Sequence, residues 1–305
     1  MKRAQLSIGL ACMYFIASIG LAGGFTLSRN ESADIRGGYF PDARLYDTSS
    51  LFFHNGWIDD IYLHNNSTLS FFDGYNYFIT AYDNSSIELM GGHVINGVSL
   101  YGASSATIYN SDCSLLAYKQ STIDIRGGTF RSLGAADNSS LSISGGEIEK
   151  AAIRGNSSLT IAGGSISTSI HVSDSSRLDI TDGIVNWADT NADGSIYITG
   201  GVINGLSAID NSTIDMSGGV IGGLTARHNS TVSIYGYDVH GTSGLELVDG
   251  KVVGIGLLSG KWKDGSVFAI NISENAQTAI IQVIPEPTSI LILGLGGFLV
   301  RLRRN

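Results

Sequence analysis

Three sets of side chains in this 305-residue chain have types and spacings that could do chemistry. The first is a column of rings 18 residues apart, Tyr39, Trp57, Tyr75 and His93, shadowed by Tyr46, His64 and Tyr82 at the same interval. Sixteen of the 27 Phe, Trp and Tyr residues fall between Tyr39 and Tyr118. Rings repeated on a flat β face could meet the apolar C–H face of sugar rings. The plain alternative is that they stack on one another and hold neighbouring strands together.

The second set is Asp189-Thr-Asn191-Ala-Asp193-Gly194, which matches the first half of an EF-hand calcium loop. Its twelfth position is Gly200, where the loop needs a bidentate Glu, and no helical pattern flanks it. An ordinary turn explains the string better, so no metal or other cofactor is expected. The third set is acidic: Asp34, Glu88, Asp124, Asp179 and Asp215 share one phase, with closer pairs at Asp59-Asp60 and Asp179/Asp182. A glycosidase wants two carboxylates about 5 to 9.5 Å apart, and turn acids account for the close pairs. The six His are scattered, and no Ser-His-Asp arrangement or phosphate-binding glycine loop is legible. Cys12 lies in an apolar leader and Cys113 stands alone in the body, which excludes a disulfide framework and cysteine-held zinc.

Positioning these groups is the work of one repeat. Asn66-Ser-Thr-Leu69, Asn84-Ser-Ser-Ile87, Asn138-Ser-Ser-Leu141, Asn156-Ser-Ser-Leu159, Asn211-Ser-Thr-Ile214 and Asn229-Ser-Thr-Val232 are the same phrase. Copies start at 30, 48, 66, 84, 102, 120, 138 and 156, and one extra residue near 175 precedes those at 193, 211 and 229. With the Asn as position 1, apolar residues at 4 and 6 flank a polar 5, the period-two pattern of a half-buried strand. Positions 8 and 9 are Gly-Gly, Asn-Gly or Asp-Gly, read as a tight corner with position 8 in a positive-φ conformation. Position 11 is apolar, and 14 and 16 open a second strand.

Eighteen residues cannot bury a core alone, so the copies must stack. The expected fold is all-β: a parallel β-solenoid of about twelve 18-residue coils, plus an N-terminal signal helix and a short C-terminal membrane helix. At about 4.8 Å per coil the rod would be on the order of 55 Å long. Asn above Asn and Ser above Ser are expected to form ladders along the corners. The solenoid is assigned to residues 23–244 and a C-terminal β cap to 245–283, with a hairpin-like turn at Gly260–Gly265. An outer-membrane barrel would need longer strands of sustained alternation.

Composition agrees. The chain has 40 Gly, 3 Pro and 15% charged residues, with 43% hydrophobic, which suits a turn-rich β protein and fits neither collagen nor disorder. Its net charge of −9 is less acidic than the body alone. Lys2, Arg3, Arg301, Arg303 and Arg304 sit at the ends, with Glu286 the one acid there, so the body is more acidic still. That disfavours nucleic acid as a partner.

Both ends carry export features. Residues 1–22 read as a signal peptide: Lys2-Arg3, an apolar run, then Gly20-Leu21-Ala22 as a small-x-small cleavage site. At the other end Pro285-Glu286-Pro287 forms a rigid extended piece. A short apolar run over 288–300 follows, and then Arg301, Arg303 and Arg304, which would stay cytoplasmic. That run is short against the roughly 20 residues of a spanning helix.

This tail, residues 284–305, resembles the PEP-CTERM sorting signal. The resemblance implies export by a bacterium with an outer membrane, transient anchoring in the inner membrane through the C-terminal helix, and recognition by an exosortase-type enzyme. The destination would be the cell surface or extracellular matrix of a biofilm-forming cell. It implies nothing about the body. The expected function is therefore a non-enzymatic surface or matrix protein with exopolysaccharide as its ligand. The alternative is a polysaccharide-degrading β-helix enzyme, a lyase or hydrolase.

Overall fold

The computed structural model describes residues 13–16, 23–242, 244–276 and 278–285. Within them the chain is an all-β parallel solenoid with no helix. Most coils contribute a four-residue strand such as Ser50–Phe53 and a longer, bent strand such as Trp57–Leu63, and two coils run as single strands, Ser158–Val172 and Arg177–Thr190. Ten short strands and the opening segments of those two stack in one column from Ser32–Ile35 to Thr231–Tyr235. All pair parallel and in register, for example Ser50↔Thr68 and Leu51↔Leu69.

Inside, the expected positions are buried. Positions 4 and 6 supply Leu51, Phe53, Leu69 and Phe71, and position 11 supplies Phe40 and Ile58. Positions 14 and 16 add Ile61 and Leu63. The long strand shows two buried residues separated by two less buried ones, as at Ile58, Asp59, Asp60 and Ile61. That spacing breaks the period of two, so the long strand turns a third corner there. Buried aliphatic residues sit above one another from coil to coil and form one continuous core.

Two corners differ in detail from the sequence expectation. Positive φ falls on position 9, not position 8: Gly56, Gly74, Gly146 and Gly219 have φ of 117°, 105°, 90° and 88°. A Cβ on Gly146 would lie 2.9 Å from the Gly128 carbonyl oxygen of the coil before. At these positions glycine serves conformation and stacking distance alike; the coil between Gly92 and Gly128 places Ser111 there without a positive φ.

A second left-handed column, at position 18, was not anticipated. Asp47, Asn65, Asp83, Asp137 and Asp210 have φ near 60°. This column, rather than the neighbouring Asn column, carries the side-chain ladder. Asp83 Oδ2 accepts the Asn65 N–H at 3.0 Å, and Asn65 Nδ2 donates to Asp47 Oδ1 at 3.2 Å. Outward Ser and Thr at position 3 also bond along their column, Thr68 to Ser50 at 2.8 Å and Ser158 to Ser140 at 3.1 Å. Inward serines at position 2 do not bond each other. Ser85, Ser121, Ser139 and Ser157 donate to the carbonyl three residues back, at 2.7 to 2.8 Å. A buried hydroxyl needs an acceptor, and in these four coils the corner supplies one; the Ser49 and Ser230 hydroxyls, in the same column, have none.

The 18-residue count is also uneven. Ser86 pairs with Ser105 and Ser105 with Thr122, so the coil starting at 84 holds 19 residues and the next, starting at 103, holds 17. The surplus bulges between Val94 and Gly97. A later extra residue enters between Ile166 and Ile170.

Parallel stacking ends at Tyr235, and antiparallel pairing starts at Tyr237, ahead of the boundary expected at 245. Gly256–Lys261 and Val267–Asn275 form the hairpin around Gly260–Gly265. Val267–Asn275 and Ile280–Ile284 then return to pair parallel with the last coil. Trp262 is buried and donates its indole N–H to the Gly219 carbonyl at 2.9 Å, sealing the core.

At the other end Met13–Ile16 is a strand paired parallel with Ser32–Ile35. The rest of the expected signal helix and the membrane segment 288–300 lie outside the described residues. Among the described residues, no helix is long and apolar enough to cross a membrane.

Candidate functional site

The position-10 column stands on the outer face of the long strands, where each ring is set by the ladder: Tyr39↔Trp57, Trp57↔Tyr75 and Tyr75↔His93. Tyr39 and Tyr75 are about half exposed. Trp57 and Tyr75 stack with centroids 5.4 Å apart, and Tyr75 and His93 with centroids 5.7 Å apart and planes 5° from parallel. Rings arranged so cover one another's faces and turn edges and polar tips to solvent. The column is thus a built ladder in which the face-on sugar platform is largely used up.

What it does present is a carboxylate gripped by rings. Asp59 accepts the Tyr39 hydroxyl at 2.5 Å and the Trp57 indole N–H at 2.6 Å. That bond holds the Tyr39 phenol above its ordinary pKa. Tyr77 lies edge-on against Trp57 at 5.3 Å, and exposed Phe78 follows it. At the far end of the column His93 Nδ1 lies 3.2 Å from the Asp112 carboxylate. Beside that pair the bulge leaves a depression of about 200 Å³, lined by His93, Val94, Ile95, Asp112, Cys113, Ser114 and Arg131. Burial pushes the Cys113 thiol up to about 12, so it stays protonated and unreactive.

Position 17 forms a longer ladder than the sequence suggested. Tyr46, His64, Tyr82, Tyr101 and Tyr118 stack in unbroken order with centroids 4.8 to 5.4 Å apart. The 19-residue coil shifts Tyr101 one place off the 18-residue count, which broke the column before Tyr118, itself back on the count.

The calcium-like string is a coil corner. Asp189 is next to last in the strand Arg177–Thr190, and its carboxylate bonds His171 Nδ1 of the coil before. Ala192 takes the left-handed conformation, and the Gly194 N–H closes the turn on the Asn191 carbonyl at 3.0 Å, with Asp193 exposed beside it. Among the described residues no group of three or more His, Cys, Asp and Glu could hold a metal ion. Of the tail motif, Pro285 is described and exposed; Glu286, Pro287, Arg301, Arg303 and Arg304 lie outside the described residues.

Sequence reasoning also passed over Trp187. It stands at position 13, outside both ring columns, and is 42% exposed. Compared with protein-family models, curated proteins and solved structures, the chain finds no match in any of the three.

Proposed function

We propose that this chain is an exported, non-catalytic β-solenoid of the cell surface or extracellular matrix, and that its N-terminal coils contact exopolysaccharide. A leader over 1–22 would carry it out, and the PEP-CTERM-like tail would hand it to an exosortase-type enzyme after transient anchoring in the inner membrane. The observation that carries the ligand is Asp59, held by Tyr39 and Trp57 on an exposed face with Tyr77 and Phe78 alongside. A fixed carboxylate accepts sugar hydroxyls, while ring edges and phenol tips cover the apolar parts of the sugar. The stacked ladders supply rigidity rather than chemistry.

Binding of the intact protein to exopolysaccharide from the producing cell tests this reading. Trp57→Ala and Tyr75→Ala should each lower binding at least tenfold while circular dichroism keeps the β signature. Unchanged binding sinks the assignment. Steady release of new chain ends from the polysaccharide would move the reading to a degrading enzyme. Mass spectrometry of membrane and secreted fractions tests the sorting step, because a terminus at Asn305 in every fraction contradicts processing.

A further inference from the structure

Position 13 of the late coils reads Trp187, Gly205 and Gly223, paired in register. The six-membered ring of Trp187 fills the space over Gly205, where an added Cβ would meet indole Cε3 and Cζ3 at 2.2 Å. Among the described residues no other ring packs on this indole and no acceptor takes its N–H. Trp57 and Trp262, by contrast, both donate to protein acceptors.

The groups beside the indole on its own and the next coil are amides and aliphatic side chains. Asn204 Nδ2 donates to Asn186 Oδ1 at 3.1 Å, an amide ladder one position from the indole, and exposed Asn204 keeps its own carbonyl oxygen free. On the other side Ile184, Val202 and Val220 form an exposed aliphatic strip in register. The coil before adds Ser167 and Thr168, both exposed. Two residues beyond the indole, the Asp189 carboxylate is bonded to His171 Nδ1 of the coil before.

We propose that Trp187, with Asn186 and Asn204, is a binding site for an uncharged glycan whose chain lies on the exposed indole and runs along the solenoid axis toward Gly223. A neutral sugar polymer suits each feature. Its C–H surface packs on the indole and the aliphatic strip, and its hydroxyls serve the neutral amides and the indole N–H. Gly223, one coil beyond the indole, carries no side chain and leaves room for the chain to continue. The site rests on the reading that this protein meets polysaccharide, but it is separate from the Tyr39–Trp57–Asp59 surface.

Native gels containing dextran, amylose or a soluble β-glucan test it with the intact protein. At least one polymer should retard migration, and Trp187→Ala should raise the apparent Kd at least tenfold. Trp187→Phe should keep most of the affinity. Gly205→Val, which displaces the indole without removing it, should lose affinity as Trp187→Ala does, and Val267→Ala, on the exposed C-terminal hairpin, should bind as wild type. Three results overturn the site: no retardation by any of the three polymers, equal retardation of Trp187→Ala, or the same loss of retardation in Val267→Ala as in Trp187→Ala. Sedimentation showing that Trp187→Ala splits a dimer would also overturn it and make this face a self-association surface.

Discussion

The coils that hold Tyr39 to Tyr118 and those that hold Ile184 to Ala226 share one backbone and one buried pattern, yet their outer columns are opposite in kind. Early coils carry rings at positions 10 and 17 that stack on their neighbours. Late coils carry aliphatic residues, amides and glycines at positions 10, 12 and 13, with a lone exposed indole. The difference extends inward, where the Phe53–Phe71 stack gives way to a column of Ile161, Ile180 and Ile198. Inward residues and corners are therefore fixed by stacking, and the outward columns are left free to differ. Aromatic ladders stiffen the early coils; the bare late face exposes what it would present to a ligand.

The sharpest way to break this comparison is to hollow the early core. Phe71→Ala removes a fully buried ring stacked 5.0 Å from Phe53 and should cost about 3–5 kcal/mol, read by denaturant unfolding. The single cavity should destabilise the early coils before the late ones, because each coil touches only its neighbours. A smaller effect separates the outer columns. His64→Ala breaks two ring stacks and should cost roughly 1 kcal/mol or more, whereas Val202→Ala on the late face should stay within about 0.5 kcal/mol. Equal costs would remove the distinction between a stiffened half and a bare one.

The smallest effect concerns acid. The bond from Arg36 holds the Asp34 carboxyl below the usual carboxylate value, against some desolvation, with His54 adding to the lowering. A lowered folded pKa stabilises above the unfolded value, and the gain is lost as pH falls through the folded one. Stability should therefore slip by a few tenths of a kcal/mol below about pH 4, since the pair is solvent-screened. Asp34→Asn should flatten that part of a pH series, and an unchanged slope would show that the pair contributes nothing.

The solenoid was legible because period and phase are one-dimensional facts. Leu51, Phe53, Ile58, Ile61 and Leu63 could be placed inside from spacing alone. The position-18 corner was legible too, had its Asp, Asn and Gly content at 47, 65, 83, 102, 137 and 155 been weighed as the glycine pair was. Ring orientation was not. A residue pattern says which face a side chain occupies, but its neighbours decide whether it shows an edge or a plane. Trp187 escaped for a related reason: its meaning comes from the glycine on the next coil, which leaves the space the indole fills.

The unequal coils have a consequence for how such a molecule can change size. A 19-residue coil followed by a 17-residue one restores alignment, and the later surplus residue is taken up between Ile166 and Ile170 while Arg177↔Ser195 resumes the pairing. Insertions are thus absorbed sideways and add nothing to height. Length in this rod is digital: it grows or shrinks only by whole rungs of about 4.8 Å, whatever the residue count of any one rung.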